Sequence, residues 1–68
     1  MYRTPVDSSN IKSVGFDANT LEIEFHSGGT YQYYAVPTDV YHYFMYASSK
    51  GKFFHQFIRD KYRCVRLA

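Results

Sequence analysis

The chain has one cysteine, Cys64, in 68 residues, so it can form no internal disulfide. A lone thiol fits a reducing, cytosolic compartment better than a secreted one. No charged-then-apolar leader is visible, and no apolar run approaches the ~18 residues of a membrane span, so the expected setting is the cytoplasm, off the membrane. Metal-ligand patterns are missing too. His26, His42 and His55 are scattered, with no His-x-x-x-His pair and no second cysteine, so neither metal nor other cofactor is expected. No Ser/His/Asp or Cys/His spacing suggests a nucleophile, and Cys64 has no activating partner beyond neighbouring positive charge. Glu22 and Glu24, read as solvent-facing on one strand, suit solubility better than acid–base work. Gly28-Gly29 is a turn rather than a phosphate loop, because a strand and not a helix follows it. A non-catalytic protein is expected.

What the chain does have is aromatic bulk. A single core is all that 68 residues can build, and at that size conformational entropy nearly cancels hydrophobic gain. Without covalent staples, eight Tyr and six Phe are the available compensation, each able to bury roughly 150–250 Å². Buried Tyr hydroxyls need partners, so several rings are expected in the core with their oxygens at the surface.

Met1–Asp7, with Pro5, reads as an N-terminal arm, and residues 8–68 as one domain. Ser8-Ser9-Asn10 is an entry turn before a first strand, Ile11–Phe16, which breaks at the turn Asp17-Ala18-Asn19-Thr20. Leu21-Glu22-Ile23-Glu24-Phe25-His26 alternates cleanly, placing Leu21, Ile23 and Phe25 on one strand face. Ser27-Gly28-Gly29-Thr30 is a hairpin connection, since glycine supplies the positive φ that tight turns need, and Tyr31–Val36 is the return strand. Pro37 suits the first position of a helix, with Asp39 in its first turn. Val40, Tyr43, Phe44 and Ala47 follow i, i+3, i+4, i+7 spacing and predict a helix of about three turns. Ser48-Ser49 ends it and caps a second helix, from about Ser49 to about Asp60, with Phe53, Phe57 and Ile58 as its apolar stripe. Tyr62–Leu67 is a tail, read as extended. The fold class is α+β: a three-stranded antiparallel β-meander followed by two α-helices, β-β-β-α-α.

Charge is strongly polarised along this plan. Residues 48–68 carry six basic side chains against Asp60, a net of +5, whereas residues 1–47 carry a net of −3. Lys50, Lys52, Arg59, Lys61, Arg63 and Arg66 are interleaved with Phe53, Phe54, Phe57 and Tyr62, a pattern suited to phosphate contacts with stacking nearby. The bland alternative is cationic capping of the second helix's C-terminal end. Tyr31 and Tyr33 share one strand face and Tyr34 takes the other. All three are candidate stacking platforms for RNA bases, with core packing as the competing role for Tyr31 and Tyr33. Tyr34, Tyr41 and Tyr46 are further surface aromatics. Tyr41 with Met45 is either a partner-binding strip or a cover for the core's edge.

Several strings together resemble one family: Ser8-Ser9-x-Ile11-x-Ser13-Val14-Gly15-Phe16-Asp17, Gly28-Gly29-x-Tyr31-x-Tyr33, Val36-Pro37-x-x-Val40-Tyr41, Ser49-x-Gly51-x-Phe53-Phe54 and Ile58-Arg59-x-x-Tyr62. In order and spacing, over residues 6–67, they resemble the KTSC domain, which occurs at the C-terminus of some lysyl-tRNA synthetases and as small free-standing bacterial and phage proteins. Tyr31 and Tyr33 match the family's central Tyr-x-Tyr, while His55 departs from its pattern, which has asparagine there. The resemblance brings no established activity with it, and the synthetase fusion suggests RNA. The expectation is therefore a non-catalytic module for RNA or single-stranded nucleic acid. Its backbone contacts would come from Lys50, Lys52, Arg59, Lys61, Arg63 and Arg66, with stacking by Tyr31, Tyr33 or Tyr34. The alternative is a protein-interaction or self-association module using exposed aromatics.

Overall fold

The computed structural model describes all 68 residues, Met1–Ala68. Its centre is the expected meander: β2 (Ile11–Asp17), β3 (Thr20–Phe25) and β4 (Thr30–Tyr33), paired antiparallel in that order. The meander is not the whole sheet. The segment read as an arm contributes β1 (Thr4–Pro5) beside β2, and the tail contributes β5 (Cys64–Arg66) beside β4. The three-stranded expectation is therefore corrected to a five-stranded sheet in the order β1-β2-β3-β4-β5. Strands of two or three residues are too short to show a period-2 pattern. They exist because an open sheet edge presents unpaired N–H and C=O groups to any chain lying alongside.

Turn chemistry sets the register. The β2–β3 connection holds Ala18 and Asn19 at φ 49° and 61°, the two left-handed residues of a type I′ hairpin turn. Gly28 and Gly29, at φ 101° and 96°, supply the β3–β4 turn as their composition predicts. Pairing on β2 shifts between Ile11 and Ser13. Strict alternation would send Ile11 and Val14 to opposite faces, and this bulge lets both enter the core.

One sheet face is covered by helices. Helix α1 (Thr38–Tyr46) follows Pro37, and a second helix begins as α2 (Lys50–Phe53) and continues as a π-helical turn, Phe54–Ile58. Ile11, Val14, Leu21, Ile23, Tyr33 and Val36 from the sheet side meet Phe44, Phe54 and Ile58 from the helices. The helix faces differ from the simple spacing. In α1, Phe44 is buried with Val40, Tyr41 and Met45 beside it, whereas Tyr43 is 66 % exposed. The rotation follows from Tyr41, whose ring stacks flat on Phe16 at 4.4 Å and 7° and closes the core's edge. In the second helix the wide turn, closed by Arg59 N–H to the Phe54 carbonyl at 2.8 Å, buries Phe54 and Ile58 and leaves Phe57 half exposed. The helix stops at Ile58 and the chain reverses at Asp60, whose φ is 62°. No helix is long and apolar enough to cross a membrane.

The other sheet face carries a polar network. Glu22, expected in solvent, is only 6 % exposed. Arg3 forms an ion pair with its carboxylate and Gln32 donates to it at 2.8 Å. Tyr34 in turn donates its hydroxyl to Gln32 at 2.9 Å. Gly15, opposite Glu22, makes the reach possible: a Cβ there would lie 2.7 Å from the Tyr2 carbonyl oxygen and 3.1 Å from Arg3 Cγ. Burial alone would raise the pKa of Glu22. The hydrogen bonds from Gln32 and Arg3, with the charge of Arg3, outweigh it, and the net shift is below the ordinary 4.5.

Candidate nucleic-acid interface

Three segments distant in sequence meet at one end of the domain: the Ser8–Asn10 turn, the β3–β4 hairpin, and the second helix with the turn after it. Each is locally constrained. Ser8 Oγ accepts from the N–H groups of Asn10 and Ile11, both at 3.3 Å, a side-chain-closed turn of the kind serine favours. His26 ties the hairpin to that turn twice, by its N–H to the Asn10 carbonyl at 2.9 Å and by ring Nε2 to the Ser8 carbonyl at 3.1 Å. A carbonyl only accepts, so Nε2 carries the hydrogen. Ser49 caps the helix, its hydroxyl accepting from Lys52 N–H at 3.3 Å.

Between these segments runs a groove of three contiguous stretches. The first is lined by Lys50, Lys52 and His55 against Ser8, Ser9 and Asn10. The middle shares Asn10, Gly51 and His55 with it and adds His26, Phe25, Phe54 and Arg59. The third continues past Phe25, Phe54 and Arg59 to Tyr31, Gly28 and Cys64. Arg59 donates from Nη1 to His55 Nδ1 at 3.2 Å. Because a guanidinium cannot accept, His55 Nδ1 is the acceptor, and in the neutral ring Nε2 bears the hydrogen. Arg59 also lies 4.0 Å from Asp60 in an exposed pair, a weak attraction that leaves it available to a partner.

The fold thus divides the predicted residues. Lys50, Lys52 and Arg59 line the groove. Arg66 joins its far end, its guanidinium carbon 5.7 Å from the centre of the half-buried Tyr31 ring, in the geometry of a cation–π contact. Lys61 and Arg63 line none of its stretches. Nor does the sheet offer three stacking platforms. Tyr33 is 5 % exposed and meets Phe54 edge-on at 5.6 Å, so its ring has no free face. Burial pushes its hydroxyl up to about 12, with Cys64 and Tyr31 adding to the effect, and it stays neutral. Tyr34 belongs to the polar network on the opposite sheet face. Tyr31 and Tyr33 both line the far stretch, but of the three only Tyr31 is a partly exposed ring there.

Sequence reasoning missed His26, Ser8, Ser9, Asn10 and His55 as groove residues. The entry turn and the Gly-Gly hairpin were both legible, but the bulge that brings Asn10 opposite His26 was not. A second surface feature lies on the helical side. Tyr46 is 88 % exposed, Tyr43 66 % and Phe57 50 %, and with Val40, Ala47, Phe53 and Tyr62 they line an entirely apolar groove between the helices.

Comparison with known proteins agrees with this architecture. The KTSC domain profile matches residues 7–62. A crystal structure of a KTSC domain protein from Yersinia pestis superposes with a TM-score of 0.95 at 46 % identity, over 98 % of this chain and 97 % of that one. An uncharacterized protein of Stutzerimonas stutzeri is 39 % identical over 70 residues, 98 % of this chain and 99 % of its own length. A lysine–tRNA ligase of Trichormus variabilis is 38 % identical over 64 residues, which are 91 % of this chain but 11 % of the ligase. The chain belongs to the KTSC domain family.

Proposed function

We propose that this chain is a non-catalytic module that binds single-stranded nucleic acid, RNA foremost, along the groove. The observation that carries this is the continuity of the groove: Lys50, Lys52 and Arg59 lie on one path that ends at Tyr31 with Arg66 over its ring. Cations spaced along a groove with an aromatic ring at hand suit a flexible strand, whose phosphates track the charge while an unpaired base stacks. Its likeness to a stretch of an enzyme named for tRNA supports RNA over DNA. The test is fluorescence anisotropy with labelled single-stranded RNA, single-stranded DNA and duplex RNA at low salt. Binding of the single strands that is lost in a Lys50→Ala/Lys52→Ala/Arg59→Ala variant is expected, and no binding by the parent protein at low salt ends the idea.

The exposed Tyr43, Tyr46 and Phe57 support a second reading, a protein-interaction or self-association module. Light scattering across protein concentration separates the two. A salt-insensitive dimer disrupted by Tyr46→Ser, in a protein that shifts no nucleic acid, is the outcome that favours the second.

A further inference from the structure

The groove is chemically graded, and we infer that its polar end is a site for a terminal phosphomonoester on the bound strand. This rests on the nucleic-acid reading above and goes beyond it by giving the strand an end and a direction. Tyr31, Phe25, Phe54 and Tyr33 contribute to the far stretch, and Ile11, Phe25 and Phe54 to the middle. The polar stretch, about 460 Å³, has no apolar residue in its lining. A base placed there would find only the His55 ring to stack on, whereas a phosphate would find Lys50, Lys52, Ser9, Ser48 and Asn10 besides.

Charge separates an end from an internal linkage. A phosphodiester carries one negative charge, and a phosphomonoester about −1.5 to −2 near neutral pH. Lys50 and Lys52 both line the pocket, the Lys50 ammonium 3.5 Å from the Ala47 carbonyl oxygen, and Asp7 stands on its wall. The dianion gains more from the lysine pair than a monoanion does, and it also has more acceptor oxygens for the surrounding hydroxyls and amide. His55 adds a donor, since its contact with Arg59 leaves the hydrogen on Nε2 of the neutral ring. Lys52 N–H is already taken by Ser49 Oγ, and the recognition inferred here is by side chains.

The test uses the full chain and three short single-stranded RNAs of one sequence, bearing a 5′-phosphate, a 3′-phosphate or hydroxyls at both ends, titrated by anisotropy at constant pH and salt. One phosphorylated strand is expected to bind at least 5-fold more tightly than the hydroxyl-ended one, and which of the two does so sets the strand's direction. Lys52→Ala and His55→Ala, both at exposed positions, should shrink that ratio toward one. Asp7→Asn should enlarge it, and Tyr31→Ala should weaken all three strands alike. Amide shift changes at Ser9, Asn10 and Ser48–Lys52 seen only with the phosphorylated strand give a readout independent of affinity. Equal binding of all three strands overturns the terminal site while leaving the groove reading intact. Binding of none overturns both.

Discussion

If the groove follows phosphates, salt must report how many cations face it and which ones they are. Lys50, Lys52 and Arg59 line the path and Arg66 lies against Tyr31 at its end, whereas Lys61 and Arg63 do neither. Four phosphate contacts on a single strand give a slope of about −2.8 in log K against log salt, since each contributes about −0.7. Affinity should therefore fall about 50-fold between 50 and 200 mM salt. Arg59→Ala should reduce the slope to about −2.1, and the Lys50/Lys52/Arg59 triple variant to about −0.7, at which the same change in salt costs less than about 3-fold. Lys61→Ala and Arg63→Ala remove the same formal charge from the same third of the chain. They should lower affinity slightly through the long-range field while leaving the slope at its parental value. Anisotropy titrations at four or five salt concentrations measure all of these. Equal slope changes for Lys61→Ala and Arg59→Ala would refute the groove and leave only a diffuse basic surface.

Three other perturbations test the scaffold and the stacking ring. Arg3→Ala strands the buried carboxylate of Glu22. Because Arg3 is itself one-third exposed, the expected cost is nearer about 1–2 kcal/mol than that of a fully buried pair, or roughly 5–15 °C in Tm for a domain of this size. Since the Glu22 pKa is lowered from 4.5, its stabilisation is complete above that value and is lost as pH falls through the folded one. The gap between parent and variant should close on acidification, as followed by circular-dichroism melts across pH. A pH-independent gap would contradict the assignment. Ala35 is exposed with φ 58°, a conformation costing an L-residue about 1–2 kcal/mol, so Ala35→Gly should raise Tm despite a looser unfolded chain. Tyr31→Ala should weaken RNA binding by about 5- to 100-fold, the range of base–aromatic stacking. An unchanged affinity would remove Tyr31 as a stacking ring.

The parts legible in the sequence were those whose cause is local. Alternation in Leu21–Phe25 named the buried face of β3, and Gly28-Gly29 named its hairpin, because strand period and positive φ are properties of a few adjacent residues. Pro37 and Ser49 marked helix starts for the same reason. The edge strands were hidden because their pairing depends on partners far along the chain: Cys64–Arg66 is a strand only beside Tyr31–Tyr33. The face of the second helix was misjudged because a π-helical turn changes which aromatics point inward, exchanging Phe57 for Phe54. Glu22 shows the limit most clearly. Alternation placed it correctly opposite Leu21 and Ile23. Whether that face was wet depended on Arg3, the residue before an added strand, crossing above Gly15.

The same network bears on the charge asymmetry of the chain. The first 47 residues hold two cations, Arg3 and Lys12, and both lie against acids of β3: Arg3 on Glu22 and 3.7 Å from Glu24, Lys12 3.9 Å from Glu24. The acids best placed to oppose a bound polyanion are thus engaged on the sheet face remote from the helices, leaving Asp7 and Asp60 as the carboxylates lining the groove. The six C-terminal cations meet one acid within ion-pair distance, Asp60, and only through Arg59. A modest net charge of +2 therefore understates what the groove offers a phosphate, because folding pairs charges on one side of the sheet and leaves cations unpaired on the other. A strand bound as proposed would meet Lys50, Lys52 and Arg59 along the groove, with Arg66 against Tyr31 at its far end.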